Sequence, residues 1–315
     1  MSNQKFYQIN YITQIKIANL NGDEGIGGNI TTIKKIKGYD NEQYVYISGQ
    51  ALRRYIKETL YQMDQKLSNV DADGNPVIEG IIKDSKIVAK DSSEVISSVI
   101  DLDLFGYLLP KDTSLYSRRW SPVKVTPAIS LLPYAGEKDY LTRKQDTNGE
   151  GKSGNIVQVE IDTFNFMNGT IVIDTDTIGC LINEFNHEKK EVLIGKDRDN
   201  RINVLIDSIA NLNGGAKQAR LLNDFSFKFV VAIDQKYGNP FLQNSLEVIA
   251  DENGVALKID PIIEAIKDYK DSYNEINIGI RKGVFSNEDE IIKRFKEINI
   301  NVLSVNDALN NLKIN

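Results

Sequence analysis

The stretch Tyr44-Val45-Tyr46-Ile47-Ser48-Gly49-Gln50-Ala51-Leu52-Arg53-Arg54-Tyr55-Ile56-Lys57 passes from a strand pattern to a helix pattern. Tyr44 to Ile47 is β-branched and aromatic, and Ser48 is a good N-cap, which predicts a helix running to about Met63. On that helix Leu52, Ile56 and Met63 form the buried side, with Tyr55 and Leu60 flanking it. Gln50, Arg53, Arg54 and Lys57 follow the spacing i, i+3, i+4, i+7 and share another face. Three cations and an amide therefore stand near a helix N-terminus, where free backbone N–H groups add affinity for anions. This arrangement suits a sugar-phosphate backbone. On spacing alone it equally suits a solvated basic face of an amphipathic helix. Arg53 and Arg54 are read as exposed charges, whose loss leaves folding nearly unchanged.

Upstream, residues 6–19 alternate. Ile9, Tyr11, Thr13, Ile15 and Ile17 fall on one face and Gln8, Asn10, Gln14 and Lys16 on the other, the period of a half-buried strand. A bend from Asn21 to Gly28 follows, then strand-like segments at 29–37 and 44–47. Lys34 and Lys35 alternate, so at most one of them faces the same side as the basic helix. Downstream, from about residue 65 to 153, the pattern loosens, and five of the seven prolines lie there. That stretch reads as an irregular insertion into a more regular core. Beyond it, Ile156 to Ile161 resumes strand character, Asn168-Gly169 reads as a hairpin turn, and Ile202 to Leu212 as a helix ended by Gly214-Gly215. Phe225–Ile233 and Ile276–Phe285 read as strands; Asp260-Pro261 and Ser286 open two further helices. Helices and strands mix without strict alternation, so the fold class is α+β. No internal repeat or low-complexity tract is visible.

The chain has 315 residues and a net charge of −6. That charge argues mildly against nucleic acid, although phosphate binding requires only a local basic stripe. One cysteine, Cys180, excludes an internal disulfide framework, and with the single His187 it cannot build a zinc site. A Cys180–His187 nucleophile pair lacks any orienting signature. No apolar run approaches the roughly 20 residues of a membrane span. The opening Met1–Lys5 has no apolar h-region, so no signal peptide is expected and the chain reads as cytoplasmic.

Three local strings imitate known motifs and fail. Gly151-Lys152-Ser153 ends like a P-loop, but Asp146 stands where glycine is required. Asp71-Ala72-Asp73-Gly74-Asn75 begins like a calcium loop, but its sixth residue is Pro76, so a plain hairpin turn is expected. The bend from Gly22 to Gly28 follows a strand but precedes another strand, which leaves no helix N-terminus for a pyrophosphate. No metal or cofactor is called for.

Ile47-Ser48-Gly49-Gln50-Ala51-Leu52-Arg53-Arg54 resembles a segment found after the first strands in the backbone proteins of Cascade, the type I CRISPR surveillance complex. The resemblance is closest to the DevR-like subfamily of type I-B systems. Two more pieces agree in order: Ser121-Pro122-Val123-Lys124-Val125-Thr126-Pro127-Ala128-Ile129-Ser130-Leu131, similar to the family's mid-chain segment, and Gly214-Gly215-Ala216-Lys217-Gln218-Ala219-Arg220, similar to its later glycine-containing loop. The similarity covers about the first three-quarters of the chain. After about Gly238 no motif is recognised.

The resemblance implies a fold: a modified RRM/ferredoxin-like palm sheet with helices on one face, formed by residues 1–64 and 154–315. It implies an inserted fingers-like region at 65–153 and a protruding thumb hairpin, for which Gly149–Gly154 and Glu184–Arg201 are the candidates. It implies a non-catalytic subunit that binds guide crRNA along its backbone, stacks head to tail with other copies of itself and other Cascade subunits, and leaves bases free to pair with target DNA. Candidate RNA-binding residues are Ser48, Gln50, Arg53, Arg54 and Lys57; then Gly214, Gly215, Lys217, Gln218 and Arg220; then Asn19, Asn21 and Asn29, which equally suit turn capping. Trp120, beside Arg118 and Arg119, could stack on a base or on a neighbouring subunit, but is read first as a buried anchor of the fingers. Two rivals stand beside this reading. Related type III backbone subunits cleave target RNA with an aspartate in the loop before the first helix, and Asp40 occupies a comparable loop here. The other is a regulatory or structural protein without RNA.

Overall fold

The computed structural model describes residues 6–22, 30–142, 156–183 and 185–314. Its centre is a mixed sheet built on β1 (Phe6–Ala18), β2 (Lys35–Lys37), β3 (Gln43–Ile47), β4 (Ala128–Ser130), β5 (Glu137–Thr142), β6 (Ile156–Asp174), β7 (Phe227–Gln235), β8 (Tyr273–Ile280) and β9 (Val302–Leu303). The order across the sheet is β9-β8-β7-β1-β6-β4-β3-β2; β5, Val123–Val125 and Ile30–Thr31 also pair with β6. Five helices accompany it: α1 (Gly49–Gln62), α2 (Lys196–Ala210), α3 (Asp260–Asp268), α4 (Glu288–Glu297) and α5 (Val305–Asn310). The class is α+β, as the mixed pattern predicts.

β1 is not half-buried. It lies between β6 and β7, and Gln8, Asn10 and Thr13 are as buried as Ile9 and Tyr11. These polar side chains are tolerated because they are hydrogen-bonded: Asn10 Oδ1 accepts from Thr170 Oγ1 at 3.0 Å, and Thr13 Oγ1 donates to the Ser226 carbonyl at 3.1 Å. Both faces are covered by helices, which corrects the expectation of helices on one face only. Ile9, Tyr11 and Ile15 pack with α1, α2 and α5, whereas Ile12, Phe229 and Val231 pack with Ile262 and Ile266 of α3 and Ile291 and Phe295 of α4. Two of the helices after Gly238, α3 and α4, close that second face, in a part of the sequence that carries no motif.

β6 is also longer than its sequence suggests. Asn168-Gly169 is not a turn; the strand runs straight through it. Gly169 is required because the Tyr11 ring from β1 lies where a Cβ would be, and Asn168 Nδ2 donates to the Leu246 carbonyl at 3.0 Å. Likewise α2 stops at Ala210 with Asn211 as cap, before Gly214-Gly215, and the cap position of α4 is Asn287 rather than Ser286.

Within residues 65–153, the part up to Arg119 forms short hairpins and two short helices around a separate apolar cluster that includes Ile82, Val95, Ile96, Leu102 and Leu109. Val123–Val125, β4 and β5 belong to the main sheet instead. The hairpin of Cys180–Ile182 with Lys189–Glu191 lies against the insertion: Leu181 joins its cluster and Lys190 Nζ reaches Asp91 at 3.0 Å. Gly149–Gly154 lies outside the described residues.

A buried carboxylate fastens the insertion to the sheet. Asp103 accepts from the Gly179 amide with both oxygens at 3.0 Å, from Arg119 Nη2 at 2.5 Å and from Arg201 Nη1 at 2.8 Å. Arg119 also donates to the Thr177 carbonyl at 2.8 Å and to the Cys180 carbonyl. Removing this one acceptor leaves two guanidinium groups without their carboxylate in a low-dielectric interior. Asp103→Ala is expected to lower unfolding stability by about 3–5 kcal/mol, measured by urea denaturation.

A second buried carboxylate has the opposite character. Asp162 stands where β6 leaves β1 to pair with β5, and it is 1% exposed. Its Oδ1 accepts from Thr163 N and Asn165 Nδ2, but Oδ2 has no partner. Burial pushes its carboxyl up to about 6 from 3.8. The folded state therefore holds this proton more tightly than the unfolded chain. Its contribution to stability is best below about pH 4, falls as pH rises to about 6, and is level above that. Asp162→Asn is expected to remove this fall and to stabilise the protein at neutral pH by on the order of 2–3 kcal/mol relative to wild type. Urea titrations of both proteins at acidic and at neutral pH check the difference.

Candidate nucleic-acid interface

The first turn of α1 is built as its sequence predicts. Ser48 has extended backbone, and its Oγ accepts from the Ala51 amide at 3.2 Å. Gly49 follows because the helix start presses on the Val123–Val125 strand; a Cβ at 49 would come within 2.6 Å of the Val125 carbonyl oxygen. One turn on, Tyr55 is buried; its ring fills the space that the side chain missing from Gly214 leaves, and its hydroxyl donates to the Leu20 carbonyl. Burial pushes that hydroxyl up to about 12. Gly215 has φ +113°, and the next amide, Ala216 N, donates to the Asn19 carbonyl at 2.7 Å. Four distant parts of the chain thus meet: the end of β1, the start of α1, the segment after Trp120, and the glycine loop after α2.

Between them lies a groove of about 1260 Å³. Among the described residues, its walls carry Lys34, Arg53, Arg54, Lys57 and Lys124 against one carboxylate, Glu58. Polar groups of Asn21, Ser48, Gln50 and Ser121 and the backbone of Gly49 and Gly215 complete it. No acidic residue stands in the first turn of α1, so nothing there competes for the positive end of the helix.

The cations differ in freedom. Arg54 is exposed and makes an i,i+4 pair with Glu58 at 2.9 Å. Arg53 is not simply an exposed charge: it is partly buried, donates to the Phe105 carbonyl and lies 5.2 Å from the Phe105 ring centroid. Desolvation moves its pKa down. Lys57 does not stand in solvent alone, since its Nζ is 3.0 Å from Asp101. Of the two adjacent lysines, Lys34 lines the groove, while Lys35 is 2.8 Å from Glu160 and lies over the Tyr134 ring.

Not every candidate reaches the groove. Asn21, Ser48, Gln50, Arg53, Arg54, Lys57 and Gly215 line it. Asn19 is buried, and its Nδ2 donates to the Glu160 carbonyl at 2.9 Å, a structural use. Gly214 lies beneath Tyr55. Lys217, Gln218 and Arg220 are not among the lining residues; Lys217 has φ +55° and its carbonyl closes the turns to Arg220 and Leu221. Asn29 lies outside the described residues. Lys124 and Ser121 line the groove without belonging to the helix face that the sequence marks. The alternation Val123-Lys124-Val125 is the one local signal for Lys124, since Val123 is buried and Lys124 points outward.

Trp120 is 69% exposed and Arg119 takes the buried place beside it, which corrects the reading of Trp120 as a buried anchor. Cys180 is buried and its thiol pushed up, while His187 is exposed at φ +59°. Asp71 accepts from the amides of Asp73 and Asn75 within a hairpin turn, as expected. Gly151-Lys152-Ser153 lies outside the described residues. Asp40 caps an exposed turn: Oδ2 accepts from the Tyr44 hydroxyl at 2.5 Å and Oδ1 from the Glu42 amide, which holds its carboxyl below the usual range. It does not line the groove. Among the described residues, no group of three or more His, Cys, Asp or Glu could hold a metal ion, and no helix is long and apolar enough to cross a membrane.

The family model described as "CRISPR-associated negative auto-regulator DevR/Csa2" matches residues 10–252. Two solved structures are similar in fold. One, described as "CRISPR RNA-guided surveillance complex, pre-nicking", has 12% identity and a TM-score of 0.50, covering 84% of this chain and 88% of that one. The other, "CRISPR RNA-guided surveillance complex", has 11% identity and a TM-score of 0.50, covering 89% and 91%. No curated protein matches the sequence.

The geometry separates the two adjacent arginines. Arg54→Ala is expected to change stability by no more than about 0.5 kcal/mol, because an exposed i,i+4 pair contributes little. Arg53→Ala is expected to cost roughly 1–2 kcal/mol, because its hydrogen bond to the Phe105 carbonyl and its packing on that ring both disappear. Thermal and urea unfolding of the two single variants check the contrast.

Proposed function

This chain belongs to the DevR/Csa2 family of CRISPR-associated proteins, and on that premise we propose that it is a non-catalytic backbone subunit of a type I surveillance complex. It grips guide RNA by the ribose-phosphate backbone in the groove at the start of α1. The observation that carries this reading is convergence. Lys34 and parts of residues 20–22, 48–58, 121–127 and 215–216, far apart in the chain, form one groove with five cations on its walls, in a protein of net charge −6. Cations and backbone N–H groups suit phosphates, which every nucleotide presents alike.

The covering of the second sheet face favours this location. An RRM stacks bases on an open sheet, but here α3 and α4 pack on that surface. A grip on the backbone from the groove leaves the bases free to pair with target DNA, so pairing and not the protein reads the sequence. The palm is then the main sheet with its helices. The fingers are the hairpins and short helices between residues 65 and 119. The thumb is the hairpin that β5 makes with the first part of β6, residues 156–161. Copies stack head to tail along the RNA and contact the other subunits of the complex, and such contacts do not close by a two-fold axis. The acidic remainder keeps free subunits soluble. Asp40, held within its own turn by Tyr44 and the Glu42 amide and not lining the groove, takes no part.

Binding of fluorescently labelled single-stranded RNA by anisotropy tests the reading. Arg54→Ala combined with Lys124→Ala is expected to weaken binding, and to reduce the slope of log K against log salt by about 0.7 for each phosphate that is no longer neutralised. Unlabelled RNAs of scrambled sequence are expected to compete equally, and DNA of the same sequence less well. Unchanged affinity in the double variant removes the groove from the RNA path. Discrimination among scrambled RNAs on the order of 1–3 kcal/mol overturns backbone recognition.

A further inference from the structure

Trp120 is the single tryptophan of the chain, and it stands out in solvent. Its neighbours on both sides are anchored inward. Arg119 is held by Asp103 and two carbonyls, and Ser121 Oγ lies 2.6 Å from the Val123 carbonyl and 3.3 Å from that of Leu104. The backbone between them is backed by Gly106 at φ +71°, where a Cβ would collide with the Arg119 carbonyl and meet Ser121 N at 3.0 Å. The indole thus rises from a fixed stretch of main chain. Arg118, two residues earlier on the same side of its strand, lies over the ring at 4.9 Å from the centroid. Leu108, paired with Arg118 across that small hairpin, is also exposed.

Position gives this indole its meaning. Ser121, the next residue, lines the cation groove, as does Lys124. Consecutive Cα atoms are about 3.8 Å apart, so the indole is rooted at the rim of the groove. A strand whose phosphates lie in that groove carries its bases one sugar away from them. We propose that Trp120 is a stacking platform for a nucleobase of the bound RNA, with Arg118 adding positive charge beside the ring. This rests on the groove being the RNA site. Stacking needs only a π-face, so the platform accepts any base and remains consistent with indifference to sequence. It fixes one base per subunit at the rim, whereas the groove fixes only backbone.

Because Trp120 is the sole indole, its fluorescence reports on this position alone. The full chain is titrated with single-stranded RNA while anisotropy of a label on the RNA and indole emission are followed together. A second titration uses an abasic ribose-phosphate strand of equal length. The expected result is binding of both strands, with quenching of the indole at the anisotropy midpoint by the base-bearing RNA only. Trp120→Ala is expected to lose roughly tenfold in RNA affinity and Trp120→Phe to keep most of it, both with unchanged thermal unfolding. RNA that binds by anisotropy without quenching, with Trp120→Ala binding as tightly as wild type, overturns the platform and leaves the groove standing. Absence of any RNA binding overturns the groove and the platform together. An emission change that follows protein concentration without RNA, and is lost on dissociation of the subunits, assigns Trp120 to a protein contact and overturns the proposal.

Discussion

Position 49 has room for no side chain. The first turn of α1 lies against the carbonyl of Val125 at a separation that a Cβ cannot share, and the arrangement around it follows from that approach. It brings a strand from the middle of the chain under the helix N-terminus, so that Lys124 and Arg54 line one groove. The same helix is fixed one turn later by Tyr55, whose ring needs the bare Cα of Gly214 and whose hydroxyl holds the end of β1 through Leu20. Two glycines and one tyrosine thus set the relative positions of four chain segments. The charged side chains on those segments inherit their placement from this arrangement.

How much of this is legible in the sequence depends on whether the deciding contact is local. The start of α1 is legible because a cap and a 3.6-residue period act within one turn. The choice between Lys34 and Lys35 is legible in form, because alternation sends neighbours to opposite sides. The burial of β1 is not. Period two reports that two faces exist, but not what lies on each, and the covering of the second face comes from helices some 250 residues later. Gly169 reads as a turn because glycine after asparagine usually is one. The reason for it is the ring of Tyr11, 158 residues away in sequence, which no local pattern contains.

Trp120 and Arg119 show the same limit in reverse. By side-chain character alone the tryptophan belongs inside and the arginine outside. Asp103 inverts this. A carboxylate that is itself fully buried needs cationic partners, and Arg119 can reach it while also satisfying two carbonyls. With Arg119 directed inward, strand alternation turns Trp120 outward. One acidic residue in a short helix therefore decides what a distant stretch of surface presents. Asp162 shows what burial costs when no cation comes: one oxygen without a partner and a carboxyl that retains its proton up to about 6.

The two ends of the main sheet are short. β2 is three residues long and carries Lys35 and Lys37; β9 is two residues long and pairs parallel to β8. An open edge is a template on which a foreign strand can add its own hydrogen bonds. Such short borders, one of them bearing lysines, offer too few unpaired amides and carbonyls to nucleate that kind of growth. Amyloid-like association is thereby discouraged at the places where the sheet would otherwise invite it.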